Sequence, residues 1–248
     1  MNAEWWLVRH GLTAWNAERR YQGHSDLPLL PDEASGLAEL RRELAEVNFA
    51  AVYVSDLRRC RETLAWARPD LLDGAQLDPR LREMNFGRWE GQTYEMLKDD
   101  KRYRAWIDDP QAGTPPGGES WQAFQARVSE VGEELLMQTM ALAGEAPSSN
   151  SNSSSGSLAI DLLRKSAFLP PTLRLHPPSP QPASQPAESV RLLIVTHGGV
   201  ISMLCSLLQP GLGFWDTRVG PGGVQRLFFH GEVEPEKEKE KEGHDEGV

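Results

Sequence analysis

The chain has 248 residues, 39% of them hydrophobic and 25% charged, and a formal net charge of −10. That composition suits one large globular domain or two small ones, each with a proper core. It holds no basic stripe for nucleic acid and no apolar run long enough to span a bilayer, so neither partner is expected.

In chain order, the first apolar run is Trp5-Trp6-Leu7-Val8, close behind Met1-Asn2-Ala3-Glu4. With no basic segment and no long apolar stretch before it, a secretory leader is not expected and a cytoplasmic location is. Leu37, Leu40, Leu44 and Val47 then step by three and four, which predicts a helix with Asp32 and Glu33 at its front. A second run, Ala50-Ala51-Val52-Tyr53-Val54, leads into Leu57, Cys60 and Leu64 at helical spacing, with Pro69 as the stop. Trp121, Phe124, Val128, Val131 and Leu135 form the clearest helical stripe, and its aromatic members read as core in preference to a binding platform. The third run covers 190–195, broken only by Arg191, and precedes a shorter stripe at Val200, Ile201, Leu204, Leu207 and Leu208. Residues 224–229 alternate more and read as a strand nearer an edge. Continuous apolar runs alternating with helices predict a layered α/β sandwich around a parallel sheet.

Two segments stand outside this pattern. Residues 146–188 begin with a Ser/Asn run, end rich in proline and enclose a short apolar island at 158–169. Such composition reads as a flexible insertion interrupting a single domain over 1–231. Residues 232–248 hold eight acids and three lysines, half of the net charge, and read as a disordered, solvated tail. Cys60 and Cys205, the only cysteines, fall in predicted buried helices and are expected to be reduced thiols.

The chemistry-bearing residues follow the strands. Arg9-His10-Gly11 comes after the first, Ser55-Asp56-Leu57-Arg58 after the second and Thr196-His197-Gly198-Gly199 after the third. Ligands of open α/β sheets bind beyond the carboxyl ends of the strands, so parallel strands would gather Arg9, His10, Arg58 and His197 at one rim. Two arginines and two histidines there form a cationic pocket for an anion, and a helix starting after His197 would aim N–H groups at it. The alternative is a zinc site on His10, His197 and Glu83, which the like charges of Arg9 and Arg58 oppose. No metal and no cofactor are expected. His24 reads as a pocket-rim or surface group, and His176, His230 and His244 receive no role.

The ordered segments Leu7-Val8-Arg9-His10-Gly11-Leu12-Thr13-Ala14-Trp15-Asn16, Gln22-Gly23, Ser55-Asp56-Leu57-Arg58, Leu81-Arg82-Glu83-Met84-Asn85-Phe86-Gly87-Arg88-Trp89-Glu90-Gly91, Pro116-Gly117-Gly118-Glu119-Ser120 and Thr196-His197-Gly198-Gly199 resemble the histidine phosphatase superfamily in its phosphoglycerate-mutase-like branch. The resemblance covers all but the insertion and the tail. It implies a three-layer α/β/α sandwich with a mostly parallel central sheet. It also implies a metal-independent phosphomonoesterase working on a small phosphorylated metabolite, as a monomer or homodimer. In that family His10 would be the nucleophile, with Arg9, Arg58 and His197 binding the phosphoryl oxygens. Thr13, Asn16, Gln22, Gly23 and Gly198 would line the phosphate site. Glu83 would protonate the leaving group and then activate water, with Glu90 as the second candidate acid.

Phe86 to Gly91 resembles the phosphatases of the branch more than its mutases. Within them the α-ribazole phosphatases are most similar, followed by the broad-specificity sugar-phosphate phosphatases. α-Ribazole 5′-phosphate and sugar phosphates are therefore the expected substrates. Ser202 departs from the arginine that many of these phosphatases carry at that point. Phosphoglycerate mutase, a non-catalytic phosphate- or phosphoprotein-binding module and a protein phosphohistidine phosphatase are the alternatives. Retention of both His10 and Glu83 favours an enzyme over the binding module.

Overall fold

The N-terminal apolar run becomes strand β1 (Asn2–Arg9), whose side chains alternate between two separate cores. Trp5 and Leu7 point into one, Trp6 and Val8 into the other. The same division splits Tyr53 from Val52 and Val54 in β2 (Ala51–Val54), and Leu192 and Ile194 from Leu193 and Val195 in β5 (Val190–Thr196). This is why those strands read as unbroken apolar runs: side chains of period two are buried on both faces. The structure, a computed structural model, describes residues 2–144, 173–174 and 189–231.

Six strands form one sheet in the order β3-β2-β5-β1-β6-β4, where β3 is Gln76–Leu77, β4 Leu173–Arg174 and β6 Val224–Gly231. The β3-β2, β2-β5 and β5-β1 pairs are parallel; β6 runs antiparallel to β1 and to β4. The sheet is mostly parallel, as expected, and β6 lies one strand from the edge. Of the 146–188 insertion only Leu173–Arg174 is described, paired with β6, while the 158–169 island and the 232–248 tail lie outside the described residues. The break in the third apolar run also has its reason. Arg191 stands opposite Glu4 in the register and pairs with it, and Arg226 of β6 binds the same buried carboxylate.

Helices cover both faces. Leu40 and Leu44 of α2 (Ala38–Leu44) and Cys60, Leu64 and Ala67 of α3 (Arg58–Ala67) pack on the Trp6–Val8 side. On the opposite side lie α6 (Trp121–Leu142) and α7 (Gly198–Leu208), whose buried stripes are the ones read from the sequence. Three shorter helices, α1 (Ala14–Ala17), α4 (Tyr94–Leu97) and α5 (Lys101–Asp108), belong to the loops above the strand ends. Among the described residues no helix is long and apolar enough to cross a membrane.

Candidate active site

Adjacent parallel strands deliver the two histidines. Arg9 is level with Thr196 in the β1-β5 register, so the next residues, His10 and His197, emerge side by side. His10 N–H donates to Thr196 O at 3.0 Å, and the two imidazole centroids are 5.1 Å apart. Both rings are buried.

Their hydrogen bonds assign different tautomers. His10 Nδ1 lies 2.7 Å from Gly11 O, and a carbonyl only accepts, so Nδ1 carries the proton. Burial, and then the nearby Arg59, holds this ring well below the usual histidine pKa. At neutral pH it is uncharged, and the lone pair sits on Nε2. His197 is the reverse. Its Nδ1 is 3.2 Å from Arg59 Nη2, a group that only donates, so Nδ1 accepts and Nε2–H donates to Ser55 Oγ at 2.9 Å. Burial and Arg59 hold it below the usual value as well. Cys60 Sγ packs 3.5 Å from His197 Nε2, and burial pushes that thiol up to about 12; Cys60 and Cys205 are both free and buried.

The second strand end requires a correction. Arg58 does not join the histidines: it is exposed, pairs with Glu62 through Nε at 2.6 Å and lies on the solvent face of α3. Arg59 is the residue brought to the site, fully buried, with Nη1 on Ser25 O, one Nη2 bond to Gly23 O and the other to His197. A helix turns about 100° per residue, so neighbours at its first turn face opposite surroundings. The signal was present: Arg58 and Glu62 form a surface i,i+4 pair, while Arg59 shares its face with buried Thr63 and Ala67.

Arg9 reaches Val219 O through Nη1 at 2.7 Å, and its Nε and that of Arg59 are buried without partners. Among the described residues no carboxylate forms an ion pair with either arginine. Arg59 is fully buried and Arg9 half-buried; the charge of Glu83 reaches both without forming an ion pair, so an arriving anion would relieve the cost of their desolvation. The zinc alternative finds no support in the grouping of side chains: among the described residues no three His, Cys, Asp or Glu come together as metal ligands. His197 Nδ1 also faces a guanidinium.

Glu83 stands on the other side of Arg9. Its Oε1 accepts Met84 N–H at 2.9 Å and its Oε2 accepts Gly199 N–H at 2.8 Å, at the first turn of α7. A Cβ at Gly199 would come within 2.2 Å of Glu83 Oε1, so only glycine admits the carboxylate. The backbone around Glu83 is clamped by Arg127, which bonds the carbonyls of Arg80, Arg82 and Glu83, and by the Asp56–Arg82 pair. Glu90 is engaged elsewhere. It accepts the N–H groups of His24 and Ser25 and the Ser25 hydroxyl, which pins the loop that Arg59 holds from the opposite side.

The remaining expected residues cluster around these. Thr13 caps α1 against Asn16, and its Oγ lies 2.6 Å from the buried Gln22 side chain. Gly23 contributes its carbonyl to Arg59. Gly198 packs beside the Arg9 guanidinium, where a Cβ would sit 3.4 Å from it. His24 is half-buried on the pinned loop, and His230 lies in β6 against Asn2.

Next to Glu83 and Arg9 opens a cavity of about 730 Å³, walled largely by aromatic rings: Tyr21, Phe86, Trp106, Trp121, Phe214 and Trp215. Trp121 and Phe124 are core residues as read from the sequence, and both also line this space. Trp121 and Phe214 meet edge to face at 4.7 Å, and Trp215, 63% exposed, hangs over the rim. Ser202 also faces the cavity, its hydroxyl bonded to Thr217 O.

Comparison with known proteins gives a consistent result. The family model of the histidine phosphatase superfamily (branch 1) matches residues 5–141. An adenosylcobalamin/α-ribazole phosphatase of Escherichia coli K12 is 37% identical over 125 residues, 50% of this chain and 62% of the relative, so this chain spans about three fifths of that protein. The Salmonella typhimurium LT2 protein of the same name is 29% identical over 225 residues, 88% of this chain and 86% of its own length. The crystal structure of the α-ribazole phosphatase from Shigella flexneri superposes with a TM-score of 0.63 at 25% identity, covering 93% of this chain and 95% of that one.

Proposed function

The chain belongs to the histidine phosphatase superfamily, and from that membership we propose that it is a phosphomonoesterase in which His10 accepts the phosphoryl group. The observation that carries this reading is the unshared lone pair on His10 Nε2, beside two guanidiniums whose Nε groups have no partner and that form no ion pair among the described residues. Nε2 attacks phosphorus in line, the N–P bond forms and the bond to the leaving oxygen breaks. Arg9, Arg59 and His197 bind the equatorial oxygens, and a dianion arriving there favours protonation of His197 at Nδ1, turning an acceptor into a donor. Glu83, beside the cavity, gives its proton to the leaving oxygen. It then takes one from the water that cleaves the N–P bond, which restores His10 and frees inorganic phosphate.

The aromatic cavity supports a leaving group with a planar, apolar part. α-Ribazole 5′-phosphate, the compound in the relatives' names, has one, and sugar phosphates rank behind it. A mutase needs a place for the carboxylate of its acceptor, and among the described residues the cations lining the cavity are Arg9, assigned to the phosphoryl group, and Arg218.

Acid-labile phosphoenzyme trapped by rapid quench tests the proposal. Wild-type protein should carry label on His10 and release phosphate to water with or without 3-phosphoglycerate and its bisphosphate, while His10→Ala carries none. Undiminished labelling of His10→Ala would defeat the assignment, and transfer to the glycerate in place of water would make the protein a mutase.

A further inference from the structure

We propose that Glu33 is a positioning residue that raises the basicity of His10 through the Gly11–Leu12 peptide, an inference that rests on His10 being the nucleophile. One amide plane is used from both sides. Its oxygen, Gly11 O, accepts His10 Nδ1–H at 2.7 Å, and its N–H, on Leu12, donates to Glu33 Oε1 at 2.6 Å. The plane is fixed before and after: Gly11 N–H donates to Thr63 Oγ at 2.9 Å, and Leu12 O accepts Leu30 N–H at 2.9 Å.

An amide is conjugated, so a carboxylate drawing on its N–H pushes electron density onto its oxygen. The oxygen becomes a stronger acceptor for Nδ1–H, and Nε2 a better base and nucleophile. The aspartate of a Ser-His-Asp triad acts on its imidazole directly; here a peptide stands between carboxylate and ring.

Three further observations fit a function for this carboxylate. Glu33 is 9% exposed, yet among the described residues no ion pair includes it. A buried carboxylate without a cation is an expensive way to fill space. Its pocket is cut to its shape, because a Cβ at Gly11 or Gly36 would come within 3.0 or 2.9 Å of Oε1. His197 has no counterpart, being backed by Arg59 and a neutral serine.

Glu33→Gln in the full chain tests the idea, since it keeps the size and one acceptor oxygen for Leu12 N–H while removing the charge and turning the other oxygen into an amide NH2. With an aryl phosphate, phosphoenzyme formation should slow about three- to tenfold with KM within about twofold of wild type. The acid limb of kcat/KM should move to lower pH, with Arg59, Arg9 and His197, the charged and titratable groups facing His10, unchanged. Wild-type rates and an unmoved limb in Glu33→Gln would overturn the proposal. If that variant does not fold, 15N-histidine NMR of the wild type decides. The His10 Nδ1–H proton should resonate downfield of an imidazole bonded to an ordinary carbonyl, and an ordinary position overturns the relay. Absence of labelled His10 in the wild type would instead sink the phosphatase reading, while the NMR result, which needs no turnover, would still judge Glu33.

Discussion

The ends of β1 and β5 are neighbours in one sheet, and each delivers a buried histidine, but their surroundings assign them opposite duties. At the β1 end a backbone carbonyl takes Nδ1–H, and the far nitrogen is left with its lone pair. At the β5 end both nitrogens are occupied, one by a guanidinium and one by a hydroxyl. The difference teaches that what lies behind an imidazole decides which nitrogen keeps its lone pair, and it is on this ground that His10 is the proposed nucleophile. Residue type and burial are the same at both ends.

The sharpest way to break this contrast is to remove the guanidinium that serves the β5 end and faces both rings. Arg59→Lys should cost about 10² to 10³ in kcat/KM on an aryl phosphate, the scale of losing a transition-state hydrogen bond, whereas Arg58→Ala should stay within about twofold. Equal losses at both positions, with melting curves confirming folded protein, would show that exposure on α3 does not separate them.

A smaller effect distinguishes the polar well from the aromatic cavity next to it. Trp215→Ala should raise KM about tenfold for a phosphate ester with a planar leaving group, the value of a lost stacking contact, and leave inhibition by inorganic phosphate unchanged. A matching loss of phosphate affinity would mean the two spaces are not separable. Titration gives the smallest change and treats the two histidines together. Both are held below their unfolded value of about 6.5, so as pH falls through that value the unfolded chain takes up protons that the folded chain resists. Their share of stability is complete above about pH 6.5 and is lost progressively below it. The Tm should therefore drop by several degrees between about pH 7.5 and about pH 5.5, and saturating phosphate, by binding only the folded form, should recover about 2 to 3 kcal/mol. A flat Tm without phosphate would count against neutral imidazoles in the empty site.

Much of this was legible in the residue order because period-two and period-3.6 patterns report burial directly. Strands β1, β2 and β5 and helices α6 and α7 stand where their apolar residues predict, whereas the two-residue β3 carries no such signal; Arg9, His10 and His197 follow from strand ends, and Glu83 from the segment that resembles the family. Arg58 was selected over Arg59 because linear reading does not rotate a helix, although the Glu62 partner marks the exposed face. Glu33 illustrates a different limit. Placed ahead of a helix, it reads as a charge favouring the helix terminus, and only the tertiary approach of Gly11 and Leu12 shows the carboxylate turned inward. The cavity was hidden for a similar reason, since Trp106, Trp121 and Trp215 meet there from three separate segments.

Gly199 carries a consequence for how this active site tolerates change. The seat of Glu83, the proposed proton donor, is defined by a position that has no side chain, so a single added methyl would evict the carboxylate while leaving every reactive group in the sequence intact. Variants that damage turnover here need not touch anything reactive.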